Sequence, residues 1–405
     1  MLTKGQMKII YDAEKQKVPI KLWLEDIEEG AMQQAMNLAN LPFVFKHVAI
    51  MPDSHQGYGM PIGGVIATEK VIIPNAVGVD IGCGMCAVKT SIKVEQLDNE
   101  TLKNIMNEIR KKIPVGKIHQ KEEQDQALMP MLLMYNSRVP ICSREYRSAL
   151  KQLGTLGGGN HFIEIQKDTN GYVWIMIHSG SRNLGKQVAD HYNKVAIRLN
   201  EEWYSSVPKE WQLAFLPMDS EEGEHYLSEM KYCVLFALAN RKLMMDRILD
   251  IFRCSMIKDG MVTIVDNEPM INIAHNYARM ENHFGKNVMI HRKGATSADP
   301  NDIGIIPGSQ GTKSYIIKGK GNPESFMSCS HGAGRKMSRT KAQNELNLCE
   351  EIKKLDDQGI IHGIRHKNDL DEATGAYKDI DTVMENQKDL VEIITELTPL
   401  AVIKG

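Results

Sequence analysis

Gly78-Val79-Asp80-Ile81-Gly82-Cys83-Gly84-Met85-Cys86 opens onto a strand-like run at Ala87–Thr90. The stretch sets a carboxylate and a thiol three residues apart among three glycines. Glycine lets the backbone turn tightly enough for both groups to converge on one ion. Cys83 and Cys86 also form a lone C-x-x-C. A structural zinc knuckle needs a second such pair, which this sequence lacks, and a thioredoxin-like site needs a strand-to-helix turn in a βαβ unit. Taken alone, the segment reads equally well as a buried turn carrying two small residues.

The same construction recurs along the chain: DSHQGYG from Asp53, GTLGGGNHFIE from Gly154, HSGSRNLG from His178 and SCSHGAGR from Ser328 are glycine-rich turns at strand ends. Further strand-like runs are Phe43–Ile50, Gly64–Ala67, Tyr172–Ile177, Met261–Val265, Asn287–His291 and Ser314–Ile317. Helical spacing of apolar residues marks 25–40, 96–112, 187–203, 220–252, 338–356 and 379–397. Strands and helices alternate without a βα rhythm, so the pattern predicts an α+β fold with mixed sheets rather than a doubly wound sheet. No Pro-rich linker, repeat or low-complexity tract divides the chain, and residues 1–405 are read as one domain.

A chain of 405 residues buries a full core without staples. The longest apolar stretch, Tyr232–Ala239, falls far short of a membrane span, and the opening MLTKGQMKIIYDAEKQK has no secretory character. Seven irregularly spaced cysteines read as reduced thiols, which sets the expectation of a cytoplasmic protein without membrane contact. A net charge of -2 excludes a protein that coats nucleic acid indiscriminately. Lys286–Lys341 nonetheless holds ten Lys/Arg against three Asp/Glu, a local +7, as suits an anionic substrate gripped at one place. A solvated basic face would look the same.

Four of the thirteen histidines, His161, His178, His275 and His331, stand in such turns or at strand ends. Singly, each is more often a hydrogen-bonded packing residue. With Asp80 and Cys83 they make a mixed S/N/O donor set suited to a borderline transition metal. One Asp, one Cys and three His are too many ligands for one tetrahedral ion and suit a pair sharing a thiolate, an arrangement that serves displacement at phosphorus. Composition does not choose among the histidines. Ile305-Ile306-Pro307-Gly308-Ser309-Gln310-Gly311-Thr312-Lys313 has the look of a phosphate cradle without the Walker A pattern, and His331-Gly332-Ala333-Gly334-Arg335 offers N–H groups and a guanidinium.

Together, DSHQGYG, GVDIGCGM, GTLGGGNHFIE, HSGSRNLG, IIPGSQGTKS, SCSHGAGRKMSRTKA, the run Ala376-Tyr377-Lys378-Asp379-Ile380 and the terminal Val402-Ile403-Lys404-Gly405 resemble the RtcB family of RNA ligases. The likeness runs from about Val44 to the last residue. It implies a fold peculiar to that family, built around a metal and nucleotide cleft. It also implies a GTP- and Mn²⁺-dependent enzyme that joins RNA 3′-phosphate or 2′,3′-cyclic phosphate ends to 5′-hydroxyl ends, in tRNA splicing or RNA repair. By the resemblance, Asp80, Cys83 and His161 hold one Mn²⁺, and Cys83 is shared with a second bound by His178 and His275. His331 is the guanylylated nucleophile. Asn160, His161, Phe162, Ile163 and Glu164 lie against GMP, with Glu164 reading the guanine edge. His275, Asn276, Pro307, Gly308, Ser309, Gln310, Ser314, Gly332, Ala333 and Gly334 complete the nucleotide pocket, Tyr377 stacks near it and Lys404 contacts the base. Arg335 faces a phosphate, and Asp53 and His55 border the metals. RNA and GTP are the expected partners of a monomer.

Three positions depart from the commonest family pattern: Ser54, Ala274 and the extra thiol Cys86. None removes a ligand or the nucleophile. A metal-dependent RNA phosphoesterase or nuclease would use the same cluster with water and ignore GTP; a non-catalytic RNA-binding protein would have no use for paired metals.

Overall fold

The structure, a computed structural model, describes residues 7–131, 139–258, 261–262 and 266–405. Two large sheets carry the chain, and the α+β expectation holds. The first has six strands in the order Lys8–Ile10, Ile20–Leu22, Val44–His55, Ile62–Thr68, Lys286–Lys293, Asn276–His283; its one parallel pair joins Ile20–Leu22 to Val44–His55. The second has seven, in the order Ile271–Ala274, Gly84–Lys93, Tyr172–Ser179, Phe162–Asp168, Val391–Lys404, Ser314–Gly319, Ile303–Ile306, with every neighbour antiparallel. This sheet curls until its two edge strands lie close. Met85, Met176, Phe162, Trp174, Ile305, Ile316 and Leu397 fill the inside of the curl. On the outer face, alternate residues such as Val88, Ile163, Ile165 and Ile175 pack with Met244, Ile248 and Phe252 of the long helix Glu221–Ser255.

That helix begins where its sequence says it should. Ser220 accepts from Gly223 N, and Glu221, Glu222 and Glu224 sit in the first turn, where backbone N–H groups favour negative charge. Helices at 29–39, 99–112 and 182–202 occupy the stretches expected at 25–40, 96–112 and 187–203, with their starts displaced by three to five residues. Elsewhere the fold departs from periodicity. The stretch 338–356 is two helices, Arg339–Glu345 and Leu348–Asp356, because the Asn347 side chain accepts from Cys349 N and Glu350 N and caps a new start. The helix read over 379–397 stops at Asn386, and Val391–Lys404 is instead a central strand paired on both sides. Its β-branched run Val391, Ile393, Ile394, Thr395 suits a strand, and two ladders of hydrogen bonds override the helical spacing. The helix Pro140–Gln152, with Pro at its first turn, has no counterpart in the periodicity reading. Of the run 261–265 only Met261–Val262 is described, paired with Ile257–Lys258; 263–265 lie outside the described residues. Among the described residues no helix is long and apolar enough to cross a membrane.

Register explains why the glycine-rich turns meet. Gly84 pairs with both Ala274 and Ser179, while Phe162 pairs with both His178 and Lys404, so five strands end together at one rim. The first sheet delivers Asn276 opposite Lys293, and Lys293 opposite Gly64. His275 is the single residue between a strand of one sheet and a strand of the other.

Candidate functional site

At that rim Cys83 Sγ lies 3.4 Å from His161 Nε2 and 3.2 Å from His178 Nε2. His161 Nε2 is 3.1 Å from Asp80 Oδ2, and His178 Nε2 is 3.4 Å from His275 Nε2. Two donor sets result, Asp80/Cys83/His161 and Cys83/His178/His275, each with its ligand atoms within 4.8 Å of one another and with Cys83 in both. Separations of about 3.4 Å are the edges of a tetrahedron whose metal–ligand bonds measure ~2.1 Å. His178 Nδ1 donates to Asn160 O at 3.1 Å, which leaves the Nε2 lone pair aimed into the cluster. Burial, then neighbouring imidazoles, pushes His178 and His275 well below the ordinary histidine range, so both are neutral, as metal ligands must be. Burial and the Asp80 carboxylate push the Cys83 thiol up. Lone pairs crowded this closely, with a thiol at their centre, are relieved by cations. The donor set therefore fits two borderline transition-metal ions.

The turn is lashed from behind by residues that sequence reasoning missed. Arg241, fully buried on the long helix, donates to Gly82 O at 3.1 Å, Ser179 O at 2.7 Å and Asn272 Oδ1 at 2.8 Å. Its neighbour Asn240 accepts from Gly154 N at 2.7 Å and donates to Gly180 O at 3.2 Å. The available signal was an Asn-Arg pair, Asn240-Arg241, inside the longest helical pattern of the sequence. Cys86, by contrast, points away from the donors toward Arg241 O, and burial raises it to about 12; it packs the core.

His331 follows the short strand Ser328–Ser330. Its Nδ1 lies 2.6 Å from Asp53 Oδ2, and the same oxygen accepts from His331 N at 3.1 Å. Asp53 is fully buried, so this carboxylate fixes the tautomer and leaves Nε2 free. The ring centroid stands 4.7 Å from that of His275, which brings the nucleophile candidate against the second donor set. Gly334 makes the approach possible: its φ is +73°, and a Cβ there would lie 2.1 Å from Asp53 O. Asp53 thus orients His331 rather than bordering the metal donors, whereas His55 does line the cleft.

A cleft of about 240 Å³ joins these groups to the expected nucleotide residues. Asp80, Cys83, Asn160, Phe162, Glu164, His178, His275, Asn276, Pro307, Gly308, Ser309, Gln310, His331, Gly332, Ala333, Gly334, Tyr377 and Lys404 all line it. Three expected residues do not. His161 is absent from the lining, with its Nε2 in the donor set beside Asp80. Ser314 is one layer out, accepting from Gln166 Nε2 at 3.0 Å. Ile163 is a correction: strand alternation turns its side chain away from Phe162 and Glu164 into the core.

Burial raises Glu164 to about 8, against the pull of Lys404 and a 2.5 Å hydrogen bond from Gln166. Lys404 lies 5.3 Å over the Phe162 ring. The hub of this half is Glu372, which the sequence reading passed over: it accepts from the Tyr377 hydroxyl and pairs with Arg335 at 3.2 Å, Arg339 at 3.0 Å and Lys404 at 3.9 Å. Arg335 therefore lines the cleft with its charge already met by Glu372.

The family described as "tRNA-splicing ligase RtcB" matches residues 34–138 and 132–405. The RNA-splicing ligase RtcB of Escherichia coli (strain K12) is 39% identical over 405 aligned residues, covering 96% of this chain and 98% of that protein. The tRNA-splicing ligase RtcB of Nanoarchaeum equitans is 32% identical, with 96% of each chain covered. The RNA-splicing ligase RtcB homolog 1 of Entamoeba dispar is 33% identical, covering 93% of this chain and 82% of its own. With both stretches of the family matched and such identity over nearly the whole length, the chain belongs to the RtcB family.

Proposed function

We propose that this chain is an RNA ligase that joins 3′-phosphate or 2′,3′-cyclic phosphate ends to 5′-hydroxyl ends, with GTP as co-substrate and two Mn²⁺ at the paired donor sets, residues 1–405 forming one ligase domain. The observation that carries this reading is His331: an imidazole held at Nδ1 by the buried Asp53, with Nε2 open to a cleft beside five side chains that form two candidate metal-donor sets. A phosphoesterase needs the metal donors but no oriented nucleophile. Membership of a family named for RNA splicing supports the same reading, and seven free thiols suit a reducing cytoplasm.

In the proposed sequence His331 Nε2 attacks the α-phosphorus of GTP, the bond to pyrophosphate breaks, and Asp53 holds the Nδ1 proton as charge grows on the ring. An oxygen of the RNA 3′-phosphate then displaces Nε2 and takes the guanylyl group. The 5′-hydroxyl attacks the activated 3′-phosphorus, loses its proton and expels GMP; a cyclic phosphate is first opened by water. Metal ions in the two donor sets would neutralise phosphate charge and make the attacking oxygens more acidic. Glu164 and Lys404 present an acceptor and a donor to the edge of a base, and Gly308, Ser309 and Gly332–Gly334 bring backbone toward its phosphates.

The test is a ligation assay with a 3′-phosphorylated RNA and a 5′-hydroxyl RNA. Joining that requires GTP and Mn²⁺, and retains the 3′-phosphorus at the junction, is expected. Phosphate release or strand cleavage that ignores GTP would establish the phosphoesterase reading in its place.

A further inference from the structure

From Ile109 to Lys121 the chain carries Arg110, Lys111, Lys112, Lys117 and Lys121 and no acidic residue. Lys111 pairs with Glu108 at 2.6 Å; among the described residues Lys112, Lys117 and Lys121 make no ion pair. The end of this segment is a loop pinned at two points to the glycine-rich turn of the site. Gly116 N donates to Gly157 O at 2.7 Å, and Gly116 O accepts from Arg182 Nη2 at 2.7 Å. Four residues on, Gln120 N donates to Lys151 O at 2.8 Å and its side chain to Gly154 O at 3.1 Å.

Between the pins Lys117, Ile118 and His119 are all exposed, Ile118 by 64%. One exposed isoleucine is ordinary on a protein surface. Here it stands beside the exposed Lys117 on backbone that is held, not loose. The tip is also next to the chemistry. A Cβ on Gly157 would lie 2.2 Å from His161 Nδ1 and 2.3 Å from Arg182 Nη1, so only this glycine separates the pinned loop's Arg182 anchor from a metal donor. His331 meets the cluster from the opposite donor set, through His275. An RNA end must therefore reach the phosphorus from a side that His331 does not occupy, and the tip lies on the His161 side.

We propose that the Lys117-Ile118-His119 tip docks an RNA strand entering the cleft from the His161 side, Lys117 and Lys121 taking backbone phosphates while Ile118 packs on an unpaired base. The proposal rests on the RNA-joining reading above. Phosphate contacts supply affinity that falls with salt, and an apolar side chain against a base face needs no particular sequence.

The experiment uses the full chain with Mn²⁺ and compares wild type with Lys117→Glu and Ile118→Ser, both on an exposed loop, with melting temperature as the control for folding. Labelled 3′-phosphate RNA and 5′-hydroxyl RNA are titrated at two salt concentrations. Lys117→Glu is expected to weaken RNA binding about tenfold and to lower the salt slope by about one. Ile118→Ser is expected to weaken binding with the slope unchanged. Guanylate transfer from GTP to His331 involves no RNA and should stay within about twofold. Slower guanylylation of the RNA 3′-end assigns the tip to the strand bearing the phosphate; slower sealing of pre-activated RNA alone assigns it to the 5′-hydroxyl strand. Unchanged affinity, slope and both steps overturn the proposal and leave the tip to a protein partner. A wild type that takes no guanylate yet loses RNA binding in Lys117→Glu would sink the ligase chemistry and leave the docking surface standing.

Discussion

Two segments of this protein are basic by count, and they fold into opposite things. Lys286–Lys341 carries a net +7, yet most of that charge is met or hidden. Arg292 is fully buried and bound by Glu281 at 2.5 and 3.0 Å. Lys293 donates into the carbonyls of Tyr58 and Asn75, and burial lowers it to about 7. Lys286 meets Glu69, Lys313 meets Glu396, and Arg335 and Arg339 share Glu372. Ile109–Lys121 is shorter, but Lys112, Lys117 and Lys121 are exposed and, among the described residues, make no ion pair. Charge along a chain and charge presented to a ligand are different quantities, and only the fold separates them. The first segment serves the site through its backbone turns and internal pairs, the second through its surface.

Gly334→Ala attacks the first segment where it matters most. With φ at +73° and a Cβ 2.1 Å from Asp53 O, the turn that carries His331 must move. Guanylate transfer is expected to fall at least about a hundredfold, since misplacing a reacting group by ~1 Å costs that much. A variant retaining a tenth of wild-type transfer would show that the turn tolerates the shift.

Arg292→Met tests whether the buried pair is structural. Removing the guanidinium takes two hydrogen bonds from Glu281, which keeps Arg279 and His283 at 2.9 Å, and about 2–3 kcal/mol of stability should be lost. Burial works against the Glu281 carboxylate, but the hydrogen bond from His283 and the Arg292 guanidinium outweigh it and hold its pKa far below the usual range. A depressed acid contributes stability that is present above its unfolded pKa, near 4.5, and is lost as pH falls toward the folded one. The wild type should therefore lose stability in urea melts as pH drops from about 5 toward 3, and Arg292→Met should show a shallower acid dependence. Equal slopes would detach the pair from stability.

Lys117→Glu, with its expected tenfold loss of RNA affinity, comes next. Lys336→Glu is the smallest. Lys336 is exposed in the formally more basic segment, and its reversal should change RNA affinity by no more than about twofold. If Lys336→Glu exceeded Lys117→Glu at low salt, the comparison would be reversed and the RNA path would run along the other wall of the cleft.

The site was more legible than the framework that holds it. Asp80, Cys83, His161, His178 and His331 stood out because each belongs to a glycine-rich turn, and His275 because it stands at a strand end; such features are local. What holds them is not. Asp53 meets His331 across 278 residues of chain, and Arg241 reaches Gly82 across 159. Glu372 gathers Arg335, Arg339, Tyr377 and Lys404 from a short 3-10 segment that shows no periodicity. Helices with a strong apolar stripe, such as Asn99–Lys112 with Leu102, Ile105, Met106 and Ile109 buried, were readable from spacing. Val391–Lys404 was not, because its neighbours in the sheet, Ser314–Gly319 and Phe162–Asp168, are remote in sequence and decide its conformation. Ile163 shows the same limit on one residue: strand alternation, invisible from the family likeness, points it into the core.

The most direct test of the account is where the guanylate goes. Wild-type protein incubated with GTP and Mn²⁺, digested under base and mapped by tandem mass spectrometry, is expected to carry GMP on one peptide and at one residue, His331. The bond should be acid-labile and base-stable as a phosphoramidate, and Asp53→Asn should slow its formation without moving it. A guanylate on any other residue, or an undiminished adduct in His331→Ala, would contradict the account.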